Sequence, residues 1–304
     1  MTAMTDAPAP ARHGSVRRSM RRREAITGYL FILPALIGLL VFFALPTVRA
    51  LTISFTDWNL LRPAKVIGAD NYVRLWSDAN FWDSLKITLA YVLWNIPLQT
   101  SLALLIAVLA DRLAKSVWVR AVIIAPYLIS NVVAGLVWLL MLDPLIGITN
   151  AFLSVIGSGP QPFLSSPDQA IVSIAGISIW RHVGFTALLF YAGLQSIPKD
   201  LYEAARLDGA SEFAMFRLIT LPLLRPSLQT ALILRVVLAF EVFAVVAALG
   251  GTVFPVLMGQ IYEYQFDLQN SGGAAALALI VLGISIAFTL LILRLLRVPK
   301  GASI

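Results

Sequence analysis

Six apolar segments, near residues 26–47, 84–110, 117–142, 170–193, 227–249 and 273–296, divide this chain. Each reaches the roughly 20 residues that carry a helix across a bilayer. Hydrocarbon offers no water to pair with the backbone, so every amide and carbonyl in such a segment must be satisfied within it. Runs rich in Val, Ile and Phe, which elsewhere favour strands, therefore become helices. Composition agrees: 59% of the 304 residues are hydrophobic and 13% charged, against roughly 45–50% and about 25% in soluble domains. A soluble enzyme is excluded. The expected fold is all-α and polytopic, with six transmembrane helices.

The chain has no cysteine and two histidines, His13 and His182. A disulfide framework, thiolate chemistry and a histidine-rich metal site are thereby excluded. No catalytic or metal-ligating residue is assigned, and no cofactor is expected on this chain.

The net charge of +7 raises the question of a nucleic-acid partner, and the placement of the charges answers it. Arg12, Arg17, Arg18, Arg21, Arg22 and Arg23 precede the first apolar run. Basic residues return on alternate sides: Arg112, Lys115 and Arg120; then Lys199, Arg206, Arg217 and Arg225; then Arg294, Arg297 and Lys300. On the opposite side the first loop holds Arg49, Arg62, Lys65, Arg74 and Lys86, and the two later loops hold no Lys or Arg. This bias places both termini of a multi-pass protein in the cytoplasm. The basic excess is a topology signal, with anionic lipid headgroups as its natural partner and no nucleic acid required. A signal peptide is the competing reading of the first run, disfavoured by its length and the lack of a small-residue cleavage site.

The expected organisation is a flexible basic tail over 1–25, a six-helix membrane domain over 26–297 and a short cytoplasmic tail over 298–304. Trp58, Trp76 and Trp82 point to short interfacial helices in the first outer loop, since indoles favour the headgroup zone. The third outer loop, with Gly250, Gly251, Pro255, Tyr262 and Tyr264, fits either a plain connection or an outer docking surface.

The cytoplasmic stretch at about 196–226 exceeds what a connection needs. Pro198 and Asp200 suit a helix start, Asp208-Gly209 a stop, and Ser211 the cap of a second short helix that Pro222 and Pro226 then break. Leu201, Ala204 and Ala205 share one helical stripe, and Phe213 and Phe216 follow the turn. Glu203, Arg206 and Asp208 flank that surface. Periodicity alone fits an amphipathic segment lying on the membrane or on its own bundle.

Ionisable groups within a span are costly and face the bundle interior, a partner or water. Trp180, Arg181, Arg235 and Glu241 are therefore candidates for a solute pathway, Trp180 offering a flat face to a sugar ring. Arg235 and Glu241 sit about 9 Å apart along a helix and some 120° around it, so each needs a partner elsewhere. The alternative is an interhelical ion pair such as Arg181 with Glu241. Asn95 and Asn131 fit either interhelical hydrogen bonds or solute contact. His182 fits a packing role or, in an ion-coupled carrier, a proton relay.

The residues Glu203-Ala204-Ala205, Gly209, Ile219 and Leu221-Pro222, at their fixed spacing, resemble the cytoplasmic signature of permeases of binding-protein-dependent ABC importers. Ser196-Ile197-Pro198 through Tyr202, the stretch Asp208-Gly209-Ala210 through Phe216, and in the first outer loop Phe55-Thr56-Asp57-Trp58-Asn59 and Gly68-Ala69-Asp70-Asn71-Tyr72 are similar to the carbohydrate branch, related to maltose and glycerol-phosphate permeases. The likeness runs from Tyr29 to Leu296, without the long outer insertion of some maltose permeases. It departs at Ala248–Pro255, where relatives commonly read Thr-Gly-Gly-Gly-Pro.

The resemblance implies a division of labour. A second homologous permease would complete the translocation pathway, two ATPase subunits would hydrolyse ATP beneath it, and an extracytoplasmic binding protein would deliver the solute. Glu203, Ala204, Ala205, Asp208, Gly209 and Ala210 would form the coupling helix and its turn, seated on an ATPase subunit. Gly209 would serve the turn, and Glu203 would fix register. No Gly-rich loop ending in Lys-Ser or Lys-Thr is present, so the chain is not itself the ATPase. The alternative from another class is a proton- or sodium-coupled secondary carrier.

Overall fold

The computed structural model describes residues 13–113, 116–240, 242–243, 246–247 and 255–297. They form an all-α membrane protein with four helices long and apolar enough to span a bilayer, or six when each of two bent helix pairs counts as one span. The chain divides after Thr52 into two compact units.

The first unit is a rod made of α1 (His13–Leu39), a π-helical turn (Leu40–Ala44) and α2 (Leu45–Ile53). The helical backbone begins well before Ile26, where the hydropathy alone starts the span. The π turn has a local cause: Pro46 lacks an N–H and its ring crowds the carbonyl four residues back, and the wider turn just before it relieves the conflict. Along the rod Tyr29, Phe31, Phe42 and Phe43 are exposed, as lipid-facing side chains are.

The second unit is built on α4 (Ala79–Leu113) against α8 (Pro167–Gln195). On α4 the buried positions Phe81, Ser84, Thr88, Tyr91, Asn95, Gln99, Ala103 and Ala107 recur every three or four residues, while Leu93, Trp94, Leu98 and Leu105 are exposed. The helix thus buries a stripe of polar, small and aromatic residues and leaves Leu and Trp side chains on its opposite face. Ala103 and Ala107 cluster with Ala187 and Phe190 of α8; small side chains let the backbones approach, which is how helices associate where lipid removes the hydrophobic drive between them. Helix α12 (Arg225–Phe240) packs on this pair, and α14 (Ser271–Leu295) packs on α12. Asn270 caps α14, its Oδ1 accepting from Gly273 N at 2.9 Å.

The third apolar segment is bent rather than one continuous helix. It comprises α5 (Val117–Ile124), a 3₁₀ turn (Ala125–Leu128) and α6 (Asn131–Met141), and the two halves meet at 90°. Ile129 and Ser130 are extended, so the ladder is interrupted after Pro126, a feature that apolarity cannot register. The fifth span is entered through a 65° bend between residues 212–223 and α12. Helix α12 starts at Arg225, and of the expected continuation to residue 249 much lies outside the described residues.

The outer ends are stitched by short elements. Helix α3 (Asp70–Ser77) carries Asn71, whose Nδ2 donates to Ser54 O at 2.9 Å and Thr56 O at 2.8 Å. Gly272 brings α14 against the same loop: its N donates to Trp58 O at 3.2 Å, and a Cβ there would lie 2.0 Å from Thr56 O. Of the loop tryptophans, Trp76 sits in α3 and Trp82 in the first turn of α4, where its Nε1 donates to Trp76 O at 2.8 Å. The second outer loop holds α7 (Ile148–Val155) and the third α13 (Leu257–Tyr262). Tyr264 donates to Asp78 Oδ2 at 3.4 Å, and Tyr262 stacks on Phe243 at 5.2 Å. The described part of the third loop is therefore packed onto the bundle, while Gly250 and Gly251 lie outside the described residues. Burial first, then the Asp78 carboxylate, raises the Tyr264 phenol above its ordinary range.

Candidate functional site

The segment between α8 and α12 folds as its sequence punctuation directs. Helix α9 (Lys199–Leu207) follows Pro198, with Asp200 in its first turn and Arg206 in its last, complementing the helix dipole at both ends. It ends at Asp208, and Gly209 has φ +76°. Gly209 N donates to Arg206 O at 3.0 Å and Ala210 N to Ala205 O at 2.9 Å, the paired 5→2 and 6→1 bonds of a Schellman stop. A β-carbon at Gly209 would meet nothing within 4 Å, so the backbone angle alone calls for glycine.

Ser211 then caps α10 (Glu212–Met215), its Oγ accepting from Ala214 N at 3.2 Å. A π turn (Phe216–Thr220) leads into α11 (Leu221–Leu223). As in the rod, the π turn ends at a Leu-Pro pair, here Leu221-Pro222. Glu203 and Ala204 are exposed and Ala205 half-buried. Leu207 is 90% and Phe213 72% exposed. This is a short helix with small residues and flanking apolar side chains open to a partner. Phe216, expected to pair with Phe213, instead lines a cleft of about 270 Å³ behind the helix, together with Asp111, Gln195, Tyr202, Arg206 and Thr220.

Sequence reasoning did not single out the joints behind this surface. The Tyr202 hydroxyl and Thr220 Oγ1 share a hydrogen bond at 2.9 Å, and Thr220 Oγ1 reaches back to Met215 O at 3.5 Å. Eighteen residues separate Tyr202 from Thr220, and no periodicity links them. Gly193, near the end of α8, faces Ser227 of α12; a Cβ there would lie 2.3 Å from Ser227 Oγ and 2.8 Å from Leu224 Cδ1.

The membrane candidates separate into two groups. Asn95 and Arg235 are both buried and meet: Arg235 Nη2 donates to Asn95 Oδ1, while Asn95 Nδ2 donates to Ala175 O at 3.3 Å. One side chain of α4 thus ties α8 and α12 together, enclosed within the chain. Arg181 lies at the broken span. Its Nε donates to Ile129 O at 2.9 Å and its Nη2 to Tyr127 O at 3.4 Å, with the guanidinium 5.6 Å from the centre of the Tyr127 ring. Those carbonyls belong to the interrupted stretch, where a break in hydrocarbon would leave acceptors unpaired. Arg181 Nη1 also donates to His182 Nε2 at 2.9 Å, and His182 Nδ1 donates to Ser178 O at 2.8 Å. With Nε2 accepting, the imidazole is neutral and both its nitrogens are engaged in packing contacts.

Around Arg181 the structure gathers aromatic rings that the sequence had not grouped. Tyr127 stacks on Phe185 at 4.6 Å, and Trp180 meets Trp138 edge-on at 5.6 Å. Trp180 and Arg181 are half-buried, and Asn131 is exposed at the start of α6. Glu241 lies outside the described residues, and with it the expected Arg181–Glu241 pair. Among the described residues no group of three or more His, Cys, Asp or Glu side chains converges on a metal position.

A bundle of bent spans with a short helix, a left-handed glycine turn and a second short helix exposed at one end defines a polytopic membrane protein. The comparisons give this class its family. Residues 80–297 match the family described as the binding-protein-dependent transport system inner membrane component. The trehalose/maltose transport system permease protein MalF of Thermococcus litoralis is 35% identical over 91% of this chain and 96% of its own length. The sn-glycerol-3-phosphate transport system permease protein UgpA of Agrobacterium fabrum is 32% identical, over 87% and 92%. Among solved structures, the chain resembles one of a bacterial alginate ABC transporter in complex with an alginate pentasaccharide-bound periplasmic protein, with TM-score 0.76 and 25% identity over 92% of this chain and 96% of that one. The chain belongs to the family of binding-protein-dependent ABC transport permeases.

Proposed function

We propose that this chain is one of two permeases lining the translocation pathway of an ABC importer for a sugar, an oligosaccharide or a glycerol-phosphate-like solute. An extracytoplasmic binding protein delivers the solute, and two separate ATPase subunits drive the cycle. The observation that carries the reading is the α9 turn: the signature residues Glu203, Ala204, Ala205 and Gly209 stand on a capped, exposed helix, the form an ATPase subunit needs as a lever. Ala204 and Ala205 permit close seating, Glu203 fixes register, and Asp208-Gly209-Ala210 make the turn.

The solute class is supported by the solutes for which the relatives are named, trehalose and maltose, and sn-glycerol-3-phosphate. ATP-driven closure of the ATPase pair would displace α9 and, through it, the cytoplasmic ends of α8 and α12, switching the bundle between inward-open and outward-open states. Trp180, Arg181 and Asn131, beside the break in the third segment, are the pathway candidates in this reading. Asn95 and Arg235 serve as the clamp that keeps α4, α8 and α12 in register. Both termini are cytoplasmic, with the basic tail at the amino end.

The test is uptake by proteoliposomes holding the complete importer, supplied with solute-loaded binding protein. The proposal expects uptake to require internal ATP and to vanish when the ATPase subunits are left out. Uptake driven by a proton or sodium gradient without them identifies a secondary carrier instead.

A further inference from the structure

We infer that the Tyr202–Thr220 hydroxyl pair is the joint that makes the coupling helix and the fifth span move as one body. The inference rests on the importer reading and adds to it a pair of positioning residues. Helix α9 has nine residues, too few to hold its orientation without tertiary contacts. Behind it lies a cleft of about 270 Å³, so packing does not back it. The Arg206–Glu212 ion pair spans 3.6 Å with both side chains more than half exposed, a geometry that contributes little. The Tyr202 hydroxyl crosses the cleft instead, donating at 2.9 Å to Thr220, which is buried.

Thr220 is the last residue of the π turn, and its Oγ1 reaches Met215 O, five residues back. The turn that Pro222 imposes therefore presents an oxygen whose own proton is engaged, leaving it to accept from Tyr202. A second contact lies at the other end of the segment, where Gly193 admits Ser227 and Leu224 against the backbone of α8. One contact would let the segment swivel. Two separated contacts, one from α9 to the π turn and one from α8 to α12, fix its orientation, so that a push on Glu203 and Ala204 arrives at α12 as rotation rather than as local bending.

Because the chain has no cysteine, a spin-label pair can be placed through Asp200→Cys in α9 and Val237→Cys in α12 without removing native thiols. In the assembled importer the parent gives one narrow distance distribution. Tyr202→Phe, which keeps the ring, and Thr220→Val both broaden it, and Thr220→Ser, which keeps the hydroxyl, restores it. In the same preparations, the ratio of ATP hydrolysis with solute-loaded binding protein to hydrolysis without it falls about fivefold in Tyr202→Phe, the worth of one net hydrogen bond, with KM for ATP unchanged. A distribution that stays narrow in both Tyr202→Phe and Thr220→Val overturns the joint, as does broadening with the ratio intact. Broadening in a complex whose parent shows no stimulation overturns the importer reading and leaves the joint standing.

Discussion

At the scale of single residues, the structure attaches separate costs to positions that look alike in the sequence. Gly209 sits at φ +76° with open space around it, so Gly209→Ala is expected to cost about 1 kcal/mol, purely from the left-handed backbone. Gly209→Asn should cost less, since Asn tolerates that region. Hydrogen exchange at the amides of Gly209 and Ala210 measures both. Arg181 is different in kind: it serves the carbonyls of Ile129 and Tyr127. Arg181→Ala leaves them without that donor in a low-dielectric setting and should lower stability by about 1–3 kcal/mol, seen as a drop in Tm of the detergent-solubilised complex, with Arg181→Lys recovering only part because it lacks the planar fork. The coupling turn was legible in the sequence because capping and αL glycine are local chemistry, written in adjacent residues from Pro198 to Ser211. The partners of Arg181 were not, because Ile129 and Tyr127 lie more than fifty residues away and offer backbone rather than side-chain groups.

At the scale of elements, breaks and close approaches govern behaviour more than apolar length. Gly184 of α8 faces the end of α5, where a Cβ would lie 1.9 Å from Ile123 O. The obstacle is backbone, which cannot turn away, so Gly184→Ala should destabilise by about 1–3 kcal/mol, whereas the same change at Gly176, with nothing within 4 Å, should be nearly silent; thermal unfolding of the two variants makes the comparison. In the loop after α6, Asp143 accepts from Leu145 N at 2.8 Å and Ile146 N at 2.9 Å, and the Ile146 bond first, then the Leu145 bond, hold its carboxyl below the usual range. A depressed carboxyl contributes stability above its unfolded value and loses it as pH falls through the folded value. Exchange at the Leu145 and Ile146 amides, corrected for intrinsic rates, should therefore lose protection only below the ordinary carboxylate range, and Asp143→Asn should remove that pH dependence. Hydropathy found all six apolar segments yet could not register the bend in the third. It measures transfer from water, and the 90° turn at Pro126–Ser130 changes no transfer energy while its carbonyls have Arg181 to bond.

For the whole molecule, the layout is a set of clamps with a short exposed helix, the proposed lever, at one end. Asn95 and Arg235 tie three spans at mid-bundle, Asn71 and Gly272 stitch the first loop to the last span, and α9 stands exposed between the end of α8 and the start of α12. Family membership follows from residues 80–297 and from relatives matched over nearly the whole chain. The step from such a layout to transport is that movement of the lever alters access to the interior. It is tested most directly by ATP-dependent uptake in proteoliposomes containing the full importer with Gly209→Pro beside the parent, assembly of each being verified by co-purification of the ATPase subunits. The account predicts that the parent takes up solute only with ATP inside and that Gly209→Pro assembles but neither transports nor responds to the binding protein. Normal uptake by an assembled Gly209→Pro complex, or uptake by this chain on an ion gradient without any ATPase, would contradict it.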